Sequence, residues 1–457
     1  MAPDIDLSIL TEAQKDALIR SLLPLVDQLQ AALAEIAELK ARIADLPRPP
    51  KTPDNSSKPP STAHKAKLKA AGKARRRRSG PGIGRALHEA PDRLVEAHLD
   101  TCPSCEAAFP VAAQTPQAVY DRIELPPIKP DVTRVHLFGG RCACCGTRAT
   151  ASAPAGLEPG SPFGRSVEAM VVYLHYAQAI GLERLRAVMG EVFGLSISEG
   201  ALCKILARAQ TPLGDAATRI TAEVRTARVV CSDETSARVA GRTWWEWVFV
   251  TAGGVLHLIR PSRGKIVPQE VFGDLRPGVW VSDALGSQRG HAQSWQMCLA
   301  HLLRDTQYAI DCGDAVFSKQ LKALLLRAIA IGRRRPTLLD TTLAQYRADL
   351  ERRLDRIMAT VPISLDGEKL RRRMGRDREH LFVFVTDRDV PPTNNVSERH
   401  LRPSVIFRKV TNGFRSEWGA ATYAAFRSVT STAKLQGRTV LSAIRQEICS
   451  LTVPIPG

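Results

Sequence analysis

Residues 227–262, ARVVCSDETSARVAGRTWWEWVFVTAGGVLHLIRPS, decide the fold. Three segments within them, ARVVCSDET, TWWEWVFVTA and GVLHLIRPS, are rich in β-branched and aromatic residues, and Gly253-Gly254 separates the second from the third. They read as three consecutive strands of a meander, with Asp233 expected to close the first. A helical stretch around IVPQEVFGDL follows, then GVWVSDALG, a fourth short apolar strand ending in Asp283. Strand ends that face one edge of a mixed sheet are a natural place to bring separate carboxylates together. An Asp at a strand terminus also serves to cap a turn, so the two acids alone leave both roles open.

A third acid bears on the choice. PPTNNVSERHLRP, residues 391–403, places Glu398 three residues after Asn395. Asn at the N-cap with Glu three positions on is a capping box that satisfies orphan amides at a helix start. The competing role is that of a metal ligand, joining the two aspartates from a helix beyond the mostly helical ALLLRAIAIGRRR and TLAQYRADLERRLDRIM segments.

The chain around these acids is that of a folded, basic protein. With 457 residues, 44% apolar and 24% charged, it has room for two to four domains and a large core. Lys and Arg total 64 against 46 Asp and Glu, a net +18 that points to a polyanion, nucleic acid first. No apolar run approaches the roughly 20 residues of a spanning helix and no signal peptide is evident, so a membrane partner is not expected and the cytosol is. Grouped cysteines there read as metal ligands rather than disulfides.

Residues 11–46 read as helix, with a break expected at Pro24. The part after Pro24 carries Val26, Leu29, Leu33, Ile36 and Ile43 at a and d positions, with Lys40 at one a site and Leu39 and Leu46 widening the seam, which implies a short coiled coil and self-association. A Pro-, Ser- and Lys/Arg-rich stretch follows and should stay disordered when unbound. Its Arg75, Arg76, Arg77 and Arg78 can neutralise phosphates. Cys102-Pro-Ser-Cys105 and Cys142-Ala-Cys144-Cys145 are two CxxC knuckles with strand-like segments such as TRVHLF between them; Cys102, Cys105, Cys142 and Cys145 make the best tetrahedral set for one structural Zn²⁺. LERLRAVMGEVFGLSISEGALCKILARA has the pattern of a helix-turn-helix, with Gly194 in the turn, Ser196 and Glu199 as a capping box, and Lys204 and Arg208 able to face phosphate; a plain helical hairpin fits it equally.

The order of strands, two aspartates, a helical stretch and a late Glu on a helix resembles the ribonuclease H-like core of DDE transposases. More narrowly, the chain resembles the insertion sequence 66 family of bacterial transposases. The resemblance spans the N-terminal zipper, NSSKPPS at 55–61, the cysteine-rich region, SDET around Asp233, VSDA around Asp283, CLAH around His301, and TNNVSERHLRPSVIFRK followed by GFRSEWGA. It implies Asp233, Asp283 and Glu398 as the acidic triad. Two departures mark a divergent branch and bear on substrate-end preference: Ala284, Leu285 and Gly286 stand where Gly and a nearby Tyr are common, and Ser236-Ala237 where Gly-Trp is frequent.

The expected architecture is a multidomain α+β chain. It comprises a helical zipper segment at 1–47, a basic linker at 48–85, a zinc-binding domain at 86–155, a helix-turn-helix-like helical domain at 160–212, a ribonuclease H-like mixed α/β catalytic domain at 225–432 with a helical insertion at about 313–378, and a helical tail at 433–457. Three carboxylates suit two Mg²⁺ (or Mn²⁺) ions that serve the attacking and leaving oxygens of a phosphodiester displacement. Asn394 and Asn395 would position the helix start, and Arg399, Arg402, Arg408 and Lys409 offer phosphate contacts. Cys298 and His301 form a C-x-x-H pair, read as core architecture with a DNA-side role for His301. The Trp244, Trp245 and Trp247 cluster reads as strand packing. The expected partners are double-stranded DNA, both element ends and target, a second copy through the N-terminal helix, and accessory proteins of the same element, at the bacterial nucleoid. An idle, transposase-derived DNA-binding protein and a nuclease without strand transfer are the alternatives.

Overall fold

The computed structural model describes residues 11–45, 49–56 and 85–449. They fall into two compact units: the smaller takes in 85–134 and Ala187–Ser196, the larger the rest. Arg75 to Arg78, Leu46 and most of the NSSKPPS segment lie outside the described residues.

Helix α1, Glu12–Asp45, is continuous through Pro24, where a break was expected. A proline inside a helix removes one backbone donor, and here the remaining bonds carry the helix across. Leu22, Leu25, Val26, Leu29, Leu33 and Ile36 are all exposed along it. The linker also departs from expectation at its start. Residues 49–56 are ordered: Asn55 is buried, its Nδ2 donates to Asp311 Oδ2 at 2.8 Å, its Oδ1 accepts from the Thr52 amide, and Lys51 Nζ lies 5.2 Å from the Tyr308 ring centre. The side-chain amide of Asn55 thus finds partners that composition alone does not reveal.

Gly139–Arg141 (β1) and Arg148–Thr150 (β2) form a two-stranded antiparallel ribbon flanking the second cysteine knuckle. The TRVHLF segment just before it is irregular and exposed rather than a strand. Helices α2 (Arg165–Val172), α3 (Leu182–Glu191), α4 (Glu199–Arg208) and α5 (Gln210–Arg225) follow, α2 running into a π-helical turn at Tyr173–Ala177. Gly194 takes a left-handed φ of 65° between α3 and α4, as expected of a turn glycine. The N-cap of α4 is Ser198, whose side chain accepts from the Ala201 amide, not Ser196.

The central sheet has five strands: β3 (Val229–Val239), β4 (Arg242–Val250), β5 (Val255–Arg260), β6 (Val279–Ser282) and β7 (Ser294–Met297), with α6 (Ile266–Phe272) between β5 and β6. Their order is β5-β4-β3-β6-β7; the first three are antiparallel, and β6 and β7 run parallel to β3. β3 continues well past Asp233, because SARV alternates exposed and buried side chains against β4 instead of turning. β7 was not anticipated.

Helices α7 (Leu299–Asp311), α8 (Phe317–Arg334), α9 (Asp340–Met358), α10 (Leu365–Asp377) and the short α11 (Val383–Thr386) follow the sheet, then α12 (Asn395–Thr411), α13 (Glu417–Leu435) and α14 (Val440–Cys449). The core runs from Trp247, Phe249 and Trp280 on the sheet to Leu321, Leu325 and Leu354 in the helical region. Trp247 is fully buried and donates from Nε1 to the Ser262 carbonyl, while Trp245 carries the Arg263 guanidinium 4.5 Å over its ring, so strand packing accounts for both. α12 and α13 are held to the sheet by a buried polar cluster: Glu246 accepts from Ser404 Oγ at 2.6 Å and Arg408 Nη1 at 2.8 Å, and lies 3.0 Å from His257 Nδ1, whose Nε2 lies 3.3 Å from Ser431 Oγ of α13. Among the described residues no helix is long and apolar enough to cross a membrane.

Candidate active site at the junction of two strands and a helix

β3 and β6 are adjacent and parallel, with Cys231 opposite Val281. Asp233 stands two residues further along β3, and Asp283 one residue past the end of β6. Asp233 Oδ1 accepts from the Glu234 amide at 2.9 Å, and Asp283 Oδ1 from the Leu285 amide at 3.0 Å. Burial holds the Asp233 carboxyl well above the usual carboxylate range, and the negative charges of Glu234, Asp283 and Glu398 add to the effect. All three are therefore within electrostatic reach of it.

Glu398 sits in the first turn of α12, and the turn is not a capping box. Asn394 is the N-cap, one residue before the Asn395 expected there, and its side chain makes no bond within the helix backbone. Its Nδ2 donates instead to the Ser232 carbonyl at 2.7 Å, its Oδ1 accepts from Ser397 Oγ at 2.7 Å, and its amide donates to Cys298 Sγ at 3.1 Å. The Cys298 amide in turn donates to the Ser282 carbonyl at 2.8 Å. One chain of hydrogen bonds thus joins the residue before Asp233, the start of the Glu398 helix and the residue before Asp283. The capping pattern fails because the helix starts one residue earlier, which puts Ser397 rather than Glu398 at N3, and the Asn394 amide donates to the Cys298 sulfur. Burial pushes the Cys298 thiol up to about 11, so the sulfur stays protonated. His301 Nδ1 lies 3.4 Å from it, and His301 Nε2 lies 3.7 Å from Glu398 Oε1, with Arg304 Nη2 at 3.4 Å from the same oxygen. The C-x-x-H pair is accordingly both core architecture and a neighbour of Glu398.

Glu234 was missed by sequence reasoning. It is buried, accepts from Arg263 Nε and Nη2 at 3.1 and 2.9 Å and from Gln288 Nε2 at 2.6 Å, and Gln288 accepts from Trp280 Nε1. Burial and then the charge of Asp283 raise its pKa. Alternation along β3 turns it to the face opposite Asp233. The only signal was its adjacency to Asp233, which does not separate a ligand from a braced neighbour.

The expected DNA-contacting residues divide into two groups. Lys204, Arg399, Arg402 and Lys409 are exposed. Arg208 donates to Glu168 Oε1 from Nε at 2.8 Å and from Nη2 at 2.6 Å, and Arg408 to Glu246 and Thr235, so their charges are already balanced inside the protein.

The two cysteine knuckles share one backbone pattern. The Cys102 amide donates to the Ala107 carbonyl and the Glu106 amide to the Cys102 carbonyl; the Cys142 amide donates to Thr147 and Gly146 to Cys142, all at 2.9 Å. The fifth residue of each is left-handed, Glu106 at φ 57° and Gly146 at φ 72°. Hydrogen bonding with the Thr147 hydroxyl, reinforced by the Thr147 amide, lowers the Cys145 thiol to about 7. Among the described residues no three His, Cys, Asp or Glu side chains are grouped closely enough to hold a metal ion.

A meander of three antiparallel strands extended by two parallel ones, with helices following the sheet, is the multidomain α+β arrangement consistent with ribonuclease H-like DDE transposases. The profile of the transposase IS66 family matches residues 160–422, more than half of the chain, and the chain belongs to that family. No curated protein matches it.

Proposed function

We propose that this chain is a DNA transposase that binds the terminal repeats of its element and cuts and joins DNA at Asp233, Asp283 and Glu398. The observation that carries the reading is the hydrogen-bond chain through Ser232, Asn394, Cys298 and Ser282, which fixes the three acid-bearing segments against one another. The donors are hard carboxylate oxygens, the donor type that suits a hard divalent cation such as Mg²⁺. Bound there, paired ions supply activation of the attacking oxygen and stabilisation of the leaving one. The protein's own part is to orient: Asn394 fixes the first turn of α12, and His301 and Arg304 steady the Glu398 carboxylate on one oxygen. Arg399 and Arg402, exposed on the same helix, offer phosphate contacts.

A structural zinc on Cys102, Cys105, Cys142 and Cys145 belongs to the same proposal and rests on the spacing of the two CxxC pairs in the sequence. The exposed apolar stripe of α1 supports self-association. Strand transfer with Mg²⁺, using oligonucleotides that carry the repeats flanking the gene, tests the central claim. Wild type joins them, whereas Asp233→Asn binds them and joins none; equal joining by the variant would refute the assignment. Cleaved but never joined products would instead define a nuclease, and binding without cleavage an idle protein.

A further inference from the structure

We propose that Glu234 is a positioning residue for Asp283: from the far face of the sheet, through Gln288, it fixes the turn that presents the Asp283 carboxylate. The inference rests on the function proposed above. β6 ends at Ser282, so Asp283 has no ladder partner to set its direction. Its near side is pinned by the Ser282 carbonyl, which accepts from the Cys298 amide, and by Ser282 Oγ, which accepts from Trp295 Nε1 at 3.0 Å. On the far side the chain makes a single tight turn, Gly286–Gln288. Leading into it, the Leu285 amide donates to Asp283 Oδ1 at 3.0 Å, and the Gln288 amide donates back to the Leu285 carbonyl at 3.0 Å. The turn therefore orients the carboxylate, and whatever anchors the turn orients it in consequence.

That anchor is the buried Gln288 side chain. Its Oε1 accepts from Trp280 Nε1 at 3.0 Å and its Nε2 donates to Glu234 Oε2 at 2.6 Å. An indole N–H only donates and a carboxylate only accepts, so one orientation of the amide satisfies both. Glu234 cannot swing away. Its other oxygen, Oε1, accepts from Arg263 Nε and Nη2 at 3.1 and 2.9 Å, and Trp247, directly opposite on β4, is fully buried. Because alternation along β3 turns it from Asp233, Glu234 acts on the site through the turn and not as a ligand. Burying a carboxylate yields little net stability over an apolar residue of similar size, whereas two oxygens committed to two segments give direction. Arg289, next in the chain, donates from both Nη atoms to Asp377 at 2.9 and 2.8 Å, which closes the loop from the side of the helical region.

Exchanging the two side chains tests the link. Glu234→Gln leaves one donor facing another at Arg263, Gln288 or Trp280, whichever way the amides turn, and Gln288→Glu sets two carboxylates together. The two substitutions combined restore every pair, since the amide at 234 then donates to the carboxylate at 288 and accepts from Arg263, while that carboxylate accepts from Trp280. Hydrogen exchange of the segment 283–289 is followed by mass spectrometry on the full chain, without metal or DNA. Each single variant should exchange roughly ten- to a hundredfold faster there, the size of one charge-assisted hydrogen bond, and the double variant should return close to wild type. Joining of repeat-bearing oligonucleotides should follow the same order, with more Mg²⁺ needed for half-maximal joining in the single variants and unchanged affinity for the repeat without metal. Wild-type exchange in both single variants would overturn the proposal. So would a double variant as fast as the worse single, a loss of protection spread evenly over β3 and β4, or faster exchange with wild-type joining at every Mg²⁺ concentration. A wild type that shows the exchange pattern but never joins strands would refute the catalytic reading and leave the anchoring of Asp283 standing.

Discussion

Replacing Asn394 by Ala tests the linkage of the three acids most directly. The side chain is fully buried and makes two hydrogen bonds, one to the Ser232 carbonyl and one from the Ser397 hydroxyl. The substitution leaves both partners unsatisfied beside Ser232 Oγ, which already has no partner. Each buried group left unpaired costs about 1–3 kcal/mol, so the loss is roughly 2–6 kcal/mol. With a urea slope of about 2–3 kcal/mol per molar, the unfolding midpoint should fall by roughly 1–3 M. Strand transfer should fall further than stability explains, because the first turn of α12 then floats relative to β3. A misplacement of about 1 Å costs on the order of 100-fold in rate. Asn394→Asp should fare no better, since it keeps an acceptor for Ser397 but sets a carboxylate against the Ser232 carbonyl. Both quantities are read on one preparation, by urea denaturation and by joining of repeat-bearing oligonucleotides at low temperature, where the variant is fully folded. A variant that unfolds at the wild-type midpoint and joins DNA at the wild-type rate would show that Asn394 is a bystander.

Metal analysis of the intact chain should give one zinc, lost in Cys145→Ser; a full complement in that variant would remove Cys145 from the ligand set. Burial lowers the pKa of His175 and His257 and takes His400 down to about 4 from 6.5. Unfolded histidines therefore bind protons first as pH falls below 6.5, so these three weaken the fold between there and about 4; relative to wild type, His400→Gln should gain stability as pH falls through that window, and an unchanged difference between the two would exclude His400 as a source. Lys204→Gln should reduce the salt dependence of DNA binding by about one unit, whereas Arg208→Gln should lower the urea midpoint and leave the salt slope alone; the reverse pattern would mean that Glu168 releases Arg208 to DNA. Deleting residues 1–47 should convert a dimer or larger assembly to a monomer by light scattering, and an unaltered mass would exclude α1 as the interface.

The meander was legible because Val229, Val230, Trp247, Val248 and Val255 fall in dense β-forming runs, and Gly253-Gly254 marks a turn. SWQM at β7 is too short and too polar to stand out, and becomes a strand only because β6 offers an edge beside it. Asp233 looked terminal because ETSAR is polar, yet the pairing with β4 carries the strand through that stretch. Arg208 and Arg408 looked like surface cations because Glu168 and Glu246, distant in sequence, are invisible as partners until the chain folds. The capping box failed because the helix starts one residue earlier, where the Asn394 amide finds a sulfur distant in sequence. Residue types set what each group can do, and contacts distant in sequence decide which option is taken.

The seat of Asn55 on Asp311 has a practical bearing on expression design. A shortened chain beginning where the family match starts would strip that amide from the end of α7, leaving Asp311 without its long-range partner on the helix that also bears His301 and Arg304. Truncations meant to isolate the catalytic module should therefore retain the chain from Pro49 onward, or replace Asp311 with a neutral residue to compensate.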